Sequence, residues 1–433
     1  MNDSGASSRG GLGSVLVSLR SRVRLALKDN WPLYWRLANL KKLVMLPLES
    51  LNLLFLHRRT LIYLWKKYGF RRLRKFVLSK LLVREVGTGL LDPLWRTFPS
   101  TVPYPINLEL EVTTKCNLRC VMCEHTHWTE PQLDLSFEDF KKIIDQFPSL
   151  AWCNPTGEGS AFLNPDYPKM LRYLKDRDIM VEFVESFNFL REEQLRELVE
   201  IGVDRIWISV DGATKETYEK IRVGGNFERV LGNIKLLMKI KEELNSPIPE
   251  LCFRFVIMKE NYHEMPQFVD VINNLGDKKW LGDGSYVEFA GLLDFDQTQK
   301  HKPKQLAVDL VEETKMRGAS LGVTVAFAHQ YHDPEKKCPV NYCGAWSEPY
   351  IMMGGYVQPC CAVLMSNKRD FLREHSFGNV NEKSFKEIWF DPYYKKMRRE
   401  VPRTKGAIPI QCKGCRAFNT LTRENEYGVF SNK

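Results

Sequence analysis

The sequence predicts an α/β fold of parallel strands, preceded by a basic helical region and followed by a small cysteine-rich domain. Three observations support this. Strand-like and helix-like patterns alternate through the middle of the chain, one early segment carries the excess positive charge, and six of the eleven cysteines lie near the end. Repeated strand-then-helix patterns imply right-handed crossovers between parallel strands. A doubly wound sheet and an open barrel both satisfy this alternation.

The chain has 433 residues, enough for two or three domains. We divide it into a polar tail (1–13), a basic amphipathic helical region (14–100), a central α/β region (101–330), a cysteine-rich domain (331–425) and a final tail (426–433). The first tail lacks the apolar core of an export signal, and the cysteines are odd in number and clustered. We therefore expect a reduced, cytoplasmic setting rather than a disulfide framework.

The basic region holds 17 Lys and Arg between Ser14 and Glu85 against three acidic residues, a net charge of +14. Leu, Trp and Phe recur there at helix-compatible spacing, a pattern typical of helices that lie on anionic membranes. A basic helical extension that packs on the catalytic domain or binds an acidic partner fits equally well. The stretch Leu43 to Leu56 is interrupted by Pro47 and Glu49 and is too short to span a bilayer. Nucleic acid is not expected, because no binding motif accompanies the charge.

The central region shows the alternation most clearly. We predict strands at Ile106 to Val112, Ile179 to Val184, Arg205 to Val210, Phe253 to Met258 and Tyr286 to Ala290. We predict helices at Phe137 to Phe147, Tyr167 to Lys175, Arg191 to Ile201, Phe227 to Leu244 and Met265 to Leu275, from apolar residues three or four apart. In either fold the chemistry belongs at the C-terminal ends of the strands.

A cysteine triad directly follows the first predicted strand. Cys116, Cys120 and Cys123 lie within eight residues, in the first loop at the edge where chemistry is expected. Three thiolates from one short loop can hold three irons of a four-iron cubane and leave the fourth iron open to a substrate. Zinc is the structural alternative, because His125 and His127 are near in sequence.

The spacing of Cys116, Cys120 and Cys123, with an apolar residue before the last cysteine, resembles the CxxxCxxC signature of the radical S-adenosylmethionine (SAM) superfamily. The resemblance implies a partial (β/α)6 barrel and a 4Fe-4S cluster that binds SAM. It also implies an electron donor such as flavodoxin or ferredoxin, and cleavage of SAM to a 5′-deoxyadenosyl radical that removes a hydrogen atom from substrate.

Further stretches resemble the same family and imply contacts to SAM. Gly157 and Glu158 resemble the Gly-Glu-Pro element, whose backbone and carboxylate meet the SAM ammonium. Ser209 begins a stretch similar to the Ser-x-Asp-Gly element, and Arg222 matches the arginine that pairs with the SAM carboxylate. Taken singly, each is equally well explained as an ordinary turn or a surface arginine.

The sequence departs from the family pattern at two places. Gly159 stands where the family usually has proline, and residues 185–188 stand where it often has Thr-Asn-Gly. We therefore assign no site residue to 185–188.

The second cysteine set surrounds a Pro-Cys-Cys, a Phe-Gly-Asn and a final Cys-x-x-Cys element, an order that resembles the SPASM or twitch extension of radical SAM enzymes. The resemblance implies a second 4Fe-4S cluster held by Cys343, Cys360, Cys412 and Cys415, and leaves Cys338 and Cys361 unassigned. Six cysteines are too few for two clusters with only cysteine ligands. A zinc ribbon is the alternative.

These features together predict a radical SAM oxidoreductase or maturase. Its substrate would be a peptide, a carbohydrate-like molecule or a lipid-linked molecule, and the auxiliary cluster would assist an oxidative modification. The alternative is a non-catalytic metal-binding scaffold docked to a membrane or a partner by its basic region. Cys153 and Cys252 fall in predicted strands and are expected to be packing residues. No acid or base at the substrate is identified.

Overall fold

The computed structural model describes residues 44, 48, 50–80, 95, 98–292, 296–303, 308–327, 343, 346–365, 368–401, 406–413 and 429–431. The strands, in chain order, are β1 (Asn107–Leu110), β2 (Arg119–Cys120), β3 (Trp152–Asn154), β4 (Met180–Glu185), β5 (Arg205–Ser209), β6 (Arg222–Val223), β7 (Glu250–Ile257), β8 (Val287–Gly291), β9 (Val325–Phe327), β10 (Tyr350–Met352), β11 (Tyr356–Gln358), β12 (Ile408–Pro409) and β13 (Val429–Phe430). The helices are α1 (Arg58–Ser79), α2 (Phe137–Ile144), α3 (Tyr167–Asp176), α4 (Glu192–Ile201), α5 (Lys215–Ile221), α6 (Phe227–Glu243), α7 (Met265–Asn273), α8 (Val308–Leu321), α9 (Arg369–Glu374), α10 (Phe385–Phe390) and α11 (Pro392–Glu400).

The main sheet among these residues has the strand order β11-β10-β1-β3-β4-β5-β7-β8-β9. The six strands from β1 to β8 in that order are all parallel and follow chain order without a reversal. A doubly wound sheet reverses its strand order at a switch point, and this sheet does not. The fold is therefore the six-stranded partial barrel, and the α/β prediction is confirmed.

The helices begin where the sequence supplies caps. The side chains of Ser136, Thr214 and Asn226 accept hydrogen bonds from the first turns of α2, α5 and α6. These bonds satisfy backbone N–H groups that have no partner inside the helix. Helix α4 ends at Gly202, whose φ of 74° favours glycine because a side chain there is strained.

The two faces of the barrel strands differ in chemistry. One face carries apolar side chains such as Leu110, Phe183, Ile206 and Phe253, which form a continuous core with the helices. The intervening residues of the same strands point to the opposite, inner face, because side chains alternate along a strand. The core thus lies between sheet and helices, and the inner face is left for polar groups.

A buried ion-pair cluster closes the N-terminal end of the inner face. The strand register places Glu182 beside Arg205 and Arg205 beside Glu250. Arg205 Nη2 lies 2.7 Å from Glu250 Oε2, and Lys80 Nζ and His57 Nδ1 approach the same carboxylate at 3.0 and 2.7 Å. His57 and Lys80 flank α1, so ion pairs as well as packing hold this helix against the barrel.

Helix α1 also contributes a small apolar cluster at this end. Leu64 and Phe76 pack against Trp152, Met180 and Ile248. The helix therefore covers the mouth formed by the N-terminal ends of the strands. No helix within the described residues is long and apolar enough to cross a membrane.

The C-terminal part of the chain continues the same sheet. Strand β10 pairs in parallel with β1, and β11 pairs antiparallel with β10. Helices α10 and α11 pack through Trp389 and Tyr394, whose ring centroids lie 4.9 Å apart. The cysteine-rich part thus shares a hydrogen-bonded sheet with the barrel.

Candidate active site

The cysteine loop leaves the C-terminal end of β1 and is anchored by a short two-stranded ribbon. Strand β2 pairs antiparallel with β6, and this register sets Cys120 opposite Arg222. The Val121 N–H donates to the carbonyl of Ile221 at 3.0 Å, and the Thr126 hydroxyl donates to the carbonyl of Cys120 at 2.7 Å. The ribbon therefore holds the predicted cluster loop against the predicted SAM arginine.

The three thiols of this loop share one apolar environment. Cys116, Cys120 and Cys123 are free, and they pack in a cluster that includes Met258 and Leu292. Burial raises the pKa of each of the three thiols above its ordinary value. The protein alone thus favours neutral thiols here, and a cationic centre is needed to stabilise three thiolates.

The surroundings of the triad bear on the choice between an iron-sulfur cluster and zinc. The His125 ring places Nε2 at 2.8 Å from the carbonyl of Thr114 and packs on Trp128, whereas its buried Nδ1 has no hydrogen-bond partner. Three thiols from one short loop suit a cubane with an open iron.

The loop after β3 lies directly on the segment that precedes Cys116. A Cβ on Gly157 would lie 2.4 Å from Cγ of Glu111, and a Cβ on Gly159 would lie 2.5 and 2.6 Å from the carbonyl oxygens of Thr113 and Lys115. Only glycine allows this approach at either position. The absence of proline at 159 therefore has a steric reason, since the backbone must pass close to the cysteine loop.

Glu158 is buried beside the triad in a cluster of carboxylates. Burial, followed by the charges of Glu124 and Glu111, raises the pKa of Glu158 well above its usual value. Burial likewise raises the pKa of Glu124 to about 7. An added cationic group would therefore be bound favourably at this position.

One cation already enters this carboxylate cluster from the C-terminal domain. Arg369 in α9 places Nη1 and Nη2 at 3.1 and 2.5 Å from the two carboxylate oxygens of Glu111. The same guanidinium lies 3.6 Å from Glu158, 3.2 Å from Glu130, and 4.6 Å from the ring centre of Trp128. Arg369 was not predicted from the sequence. The only signal was a charged Glu111 next to an apolar strand, which needs a buried partner.

Arg222 lies between the triad and the loop after β5. Its Nη1 is 3.8 Å from Sγ of Cys120, and its Nε donates to Asp211 at 2.6 Å. Asp211 also accepts from the backbone N–H of Val256 at 2.6 Å, which fixes the carboxylate. Burial alone would lower the pKa of Arg222, but the charges of Asp211, Cys120 and Tyr218, with the hydrogen bond to Asp211, together outweigh burial and raise it. Ser209, at the end of β5, is buried at the same edge of the sheet.

Glu185 is a further group that the sequence analysis left unassigned. It ends β4, accepts from the backbone N–H of Ser186 at 2.7 Å and lies 3.3 Å from the hydroxyl of Ser160. Burial raises the pKa of this carboxyl, and its charge in turn contributes to raising the pKa of Cys116. Four strand ends thus contribute polar groups around the triad: those of β1, β3, β4 and β5.

The second cysteine set is partly within the described residues. Cys343, Cys360 and Cys412 are buried and Cys361 is half-buried, whereas Cys338 and Cys415 lie outside the described residues. Burial raises the pKa of Tyr394, and the charge of Arg398 lowers it. The charges of Cys360 and Cys412 contribute smaller increases, so both thiols lie close to that ring.

The two remaining cysteines belong to the barrel itself. Cys153 in β3 and Cys252 in β7 are fully buried. The prediction that they are packing residues agrees with this burial. They provide matched controls for the cysteines at the sites.

Comparison with known proteins identifies two families. Residues 110–272 match the radical SAM superfamily, and residues 343–416 match an iron-sulfur cluster-binding domain, SPASM. The first match contains the triad. The second contains five of the six C-terminal cysteines and leaves out Cys338.

Several curated proteins and solved structures are similar to this chain. It is 29% identical to the tungsten-containing aldehyde ferredoxin oxidoreductase cofactor-modifying protein of Pyrococcus furiosus, over 71% of this chain and 86% of that protein. It is 24% identical to PqqA peptide cyclase of Granulibacter bethesdensis, over 73% and 81%. SuiB of Streptococcus suis, solved with S-adenosylmethionine, shares the fold, with a TM-score of 0.55, 16% identity, and coverage of 80% of this chain and 75% of SuiB. The two curated relatives favour an enzyme over a non-catalytic scaffold.

Proposed function

Because this chain belongs to the radical SAM superfamily and carries a SPASM domain, we propose that it is a peptide-modifying member of that family. It is an enzyme with a SAM-binding 4Fe-4S cluster and additional iron-sulfur binding in the SPASM domain. When bound, the cluster and SAM supply a 5′-deoxyadenosyl radical that removes a hydrogen atom from substrate. The chain itself must bind, orient and shield these groups.

The triad is the proposed holder of the SAM cluster. The observation that supports it most is that the three thiols lie in one apolar cluster at one strand edge, with Nη1 of Arg222 at 3.8 Å from Sγ of Cys120. The raised pKa of each thiol means that deprotonation is linked to metal binding.

The SAM-contacting roles follow from charge. We assign the SAM carboxylate to Arg222, whose guanidinium is held by Asp211 and is suited to a planar anion. We assign the ammonium to Glu158, the buried carboxylate of an acidic cluster, with Gly157 giving the backbone its close approach. Ser209 is assigned to the same pocket by its place at the end of β5.

The auxiliary cluster is assigned to Cys343, Cys360, Cys412 and Cys415. Cys360 and Cys412 lie near Tyr394, and Cys415 lies three residues after Cys412 in sequence. An electron taken from the substrate radical by this cluster would make the overall reaction an oxidation. Reduction of the first cluster is assigned to a flavodoxin or a ferredoxin.

A peptide is the proposed substrate because one relative, PqqA peptide cyclase, is named for its action on a peptide. The carbohydrate-like and lipid-linked alternatives have no such support. The clustered, odd-numbered cysteines of the sequence fit a reducing, cytoplasmic setting, and the basic region is assigned to peripheral contact with the membrane.

The proposal is tested by SAM cleavage. Protein reconstituted with iron and sulfide under anaerobic conditions, then given SAM and dithionite, should produce 5′-deoxyadenosine. Cys116→Ala should abolish the product, whereas Cys153→Ala, a buried cysteine away from the site, should retain it. Reconstitution without cleavage, even with candidate peptides present, would contradict the proposal.

A further inference from the structure

Large apolar side chains are exposed mainly at the N-terminal end of the described chain. Ten of the eighteen that are exposed among the described residues fall within 44–78. Trp65 is 60% exposed, and Phe55 and Phe70 are 69% exposed. Single exposed apolar residues are ordinary, but a contiguous group marks a binding surface.

Positive charge is interleaved with these side chains. Helix α1 contains eight Lys and Arg and no Asp or Glu. Gly69, with φ 77° and ψ −177°, breaks α1 into two helical segments. Ile62 and Lys66 are exposed on the first segment, and Phe70, Arg74 and Leu78 are exposed on the second. We call the outward side of α1, defined by these five residues together with Trp65, the apolar-basic face.

The opposite side of α1 is fixed to the segments that precede the barrel strands. Lys75 Nζ donates to the carbonyls of Leu150 and Arg177, just before β3 and β4, at 3.3 and 2.7 Å. Thr60 donates to the carboxylate of Asp283, before β8, through its N–H at 3.0 Å and its hydroxyl at 3.1 Å. Each segment of α1 is therefore attached at the N-terminal mouth, Thr60 on the first and Lys75 on the second, and the six side chains of the apolar-basic face are exposed to solvent.

The cysteine triad lies at the other end of the strands. Strand β7 has eight residues, which at about 3.3 Å per residue is roughly 25 Å. The apolar-basic face and the cofactor edge are consequently separated by about the height of the barrel, and they point in opposite directions.

We propose that the apolar-basic face binds the surface of an anionic lipid bilayer and that the barrel stands on the membrane with its cofactor edge turned toward water. Trp65, Phe70 and Leu78 would enter the interface, while Lys66 and Arg74 would meet anionic headgroups. This inference deepens the peripheral membrane contact of the proposed function, and the direction of substrate approach rests on the proposed SAM chemistry. In this orientation a substrate embedded in the bilayer does not face the cofactor edge, so the substrate arrives from the aqueous side.

The charge pattern favours lipid over other occupants. A second copy docked through the same face would set like charges opposite each other, which is unfavourable. Nucleic acid would engage the cations but would leave Trp65 and Phe70 without apolar partners. An anionic bilayer satisfies both kinds of side chain.

The test is sedimentation of the full-length, iron-reconstituted protein with vesicles. Binding should be stronger to phosphatidylcholine vesicles that contain phosphatidylglycerol than to pure phosphatidylcholine, and should weaken with salt. Lys66→Glu with Arg74→Glu should weaken it by at least about tenfold, and Trp65→Ser with Phe70→Ser by a similar factor. Lys235→Glu with Lys239→Glu, exposed on α6, and Met316→Ser, 66% exposed on α8, should bind as the wild type does.

Orientation is tested by hydrogen exchange on the vesicles. Protection should increase in peptides from α1 and stay unchanged in the Cys116 loop. Equal binding to neutral and anionic vesicles, unchanged binding of the face variants, or protection of the cysteine loop would overturn the proposal. The proposal would also be overturned if the protein did not bind vesicles and light scattering showed a dimer that the face variants dissociate. The face variants should still cleave SAM, so a failure of vesicle binding is separable from a failure of the proposed function.

Discussion

Arg369 in α9 forms a bidentate ion pair with Glu111, which follows β1, although 258 residues separate them. The guanidinium also reaches Glu158, the proposed ligand of the SAM ammonium. The Arg369 side chain therefore links the position of the C-terminal domain against the barrel to the shape of the proposed SAM pocket.

Arg369→Gln should destabilise the protein by about 3 to 5 kcal/mol, because it leaves the fully buried Glu111 carboxylate without its main cation. Denaturant unfolding measures the loss. Arg373→Gln removes a more exposed arginine that pairs with Glu130 and Asp370, and should cost about 1 kcal/mol or less. Equal losses of unfolding free energy in the two variants would show that the buried Arg369–Glu111 pair contributes no more than the exposed pairs of Arg373.

Arg222→Lys should weaken SAM binding by roughly tenfold or more, since a lysine ammonium cannot hold Asp211 and the SAM carboxylate with the same planar geometry. Equilibrium dialysis of reconstituted protein measures the affinity. Arg196→Lys, in a surface ion pair with Glu243, should bind SAM normally. Unchanged affinity in the Arg222 variant would remove this residue from the SAM site.

Gly157→Ala should reduce 5′-deoxyadenosine formation by roughly a hundredfold, because the new Cβ would lie 2.4 Å from Glu111 and displace the loop. Gly232→Ala is the matched control. Gly232 lies within α6, and a methyl group added there would meet no atom within 4 Å beyond its own helix backbone, so alanine should raise stability by about 1 kcal/mol and leave turnover unchanged. Normal turnover in the Gly157 variant would show that the loop does not need glycine.

Cys412→Ala should lower the iron content by about one cluster and leave the triad cluster in place. Cys153→Ala should leave the iron content unchanged. Iron and sulfide analysis, with zinc measured in parallel, gives the result. Unchanged iron accompanied by bound zinc would favour the zinc-ribbon alternative.

The Glu250 cluster should make stability depend on pH. Burial would raise the pKa of Glu250, but the charges of Lys80, Arg205 and His57 outweigh burial and hold it well below 4.5. A lowered native pKa contributes stability above the unfolded-state pKa, and this contribution is lost as pH falls toward the native value. The stability difference between wild type and Glu250→Gln, measured by denaturant unfolding, should thus shrink as the pH falls below about 5. A difference that grows on acidification would contradict this assignment.

Local pattern was enough to predict the elements that carry the chemistry. The triad follows β1, and Arg222 was found from its distance in sequence to Ser209, because strand, loop and spacing are local properties. The strand predicted at Phe253 to Met258 instead covers Glu250–Ile257. Its charged first residue, Glu250, is buried with cationic partners: Arg205 on the neighbouring strand, and Lys80 and His57 at the ends of α1.

Contacts between distant segments were not predictable in the same way. Arg369 and Glu185 join the site through tertiary packing, and neither has a local motif. The pairing of β10 with β1 could not be predicted from the sequence either. A strand of three residues has too short an apolar pattern to indicate its partner.

The most direct test of the account is electron paramagnetic resonance of the reduced Cys412→Ala variant, which isolates the triad cluster, with and without SAM. We predict a 4Fe-4S signal that changes when SAM is added, because the three thiolates leave one iron open to it. A signal that SAM does not alter, or a triad that retains zinc after reconstitution with iron and sulfide, would contradict the account.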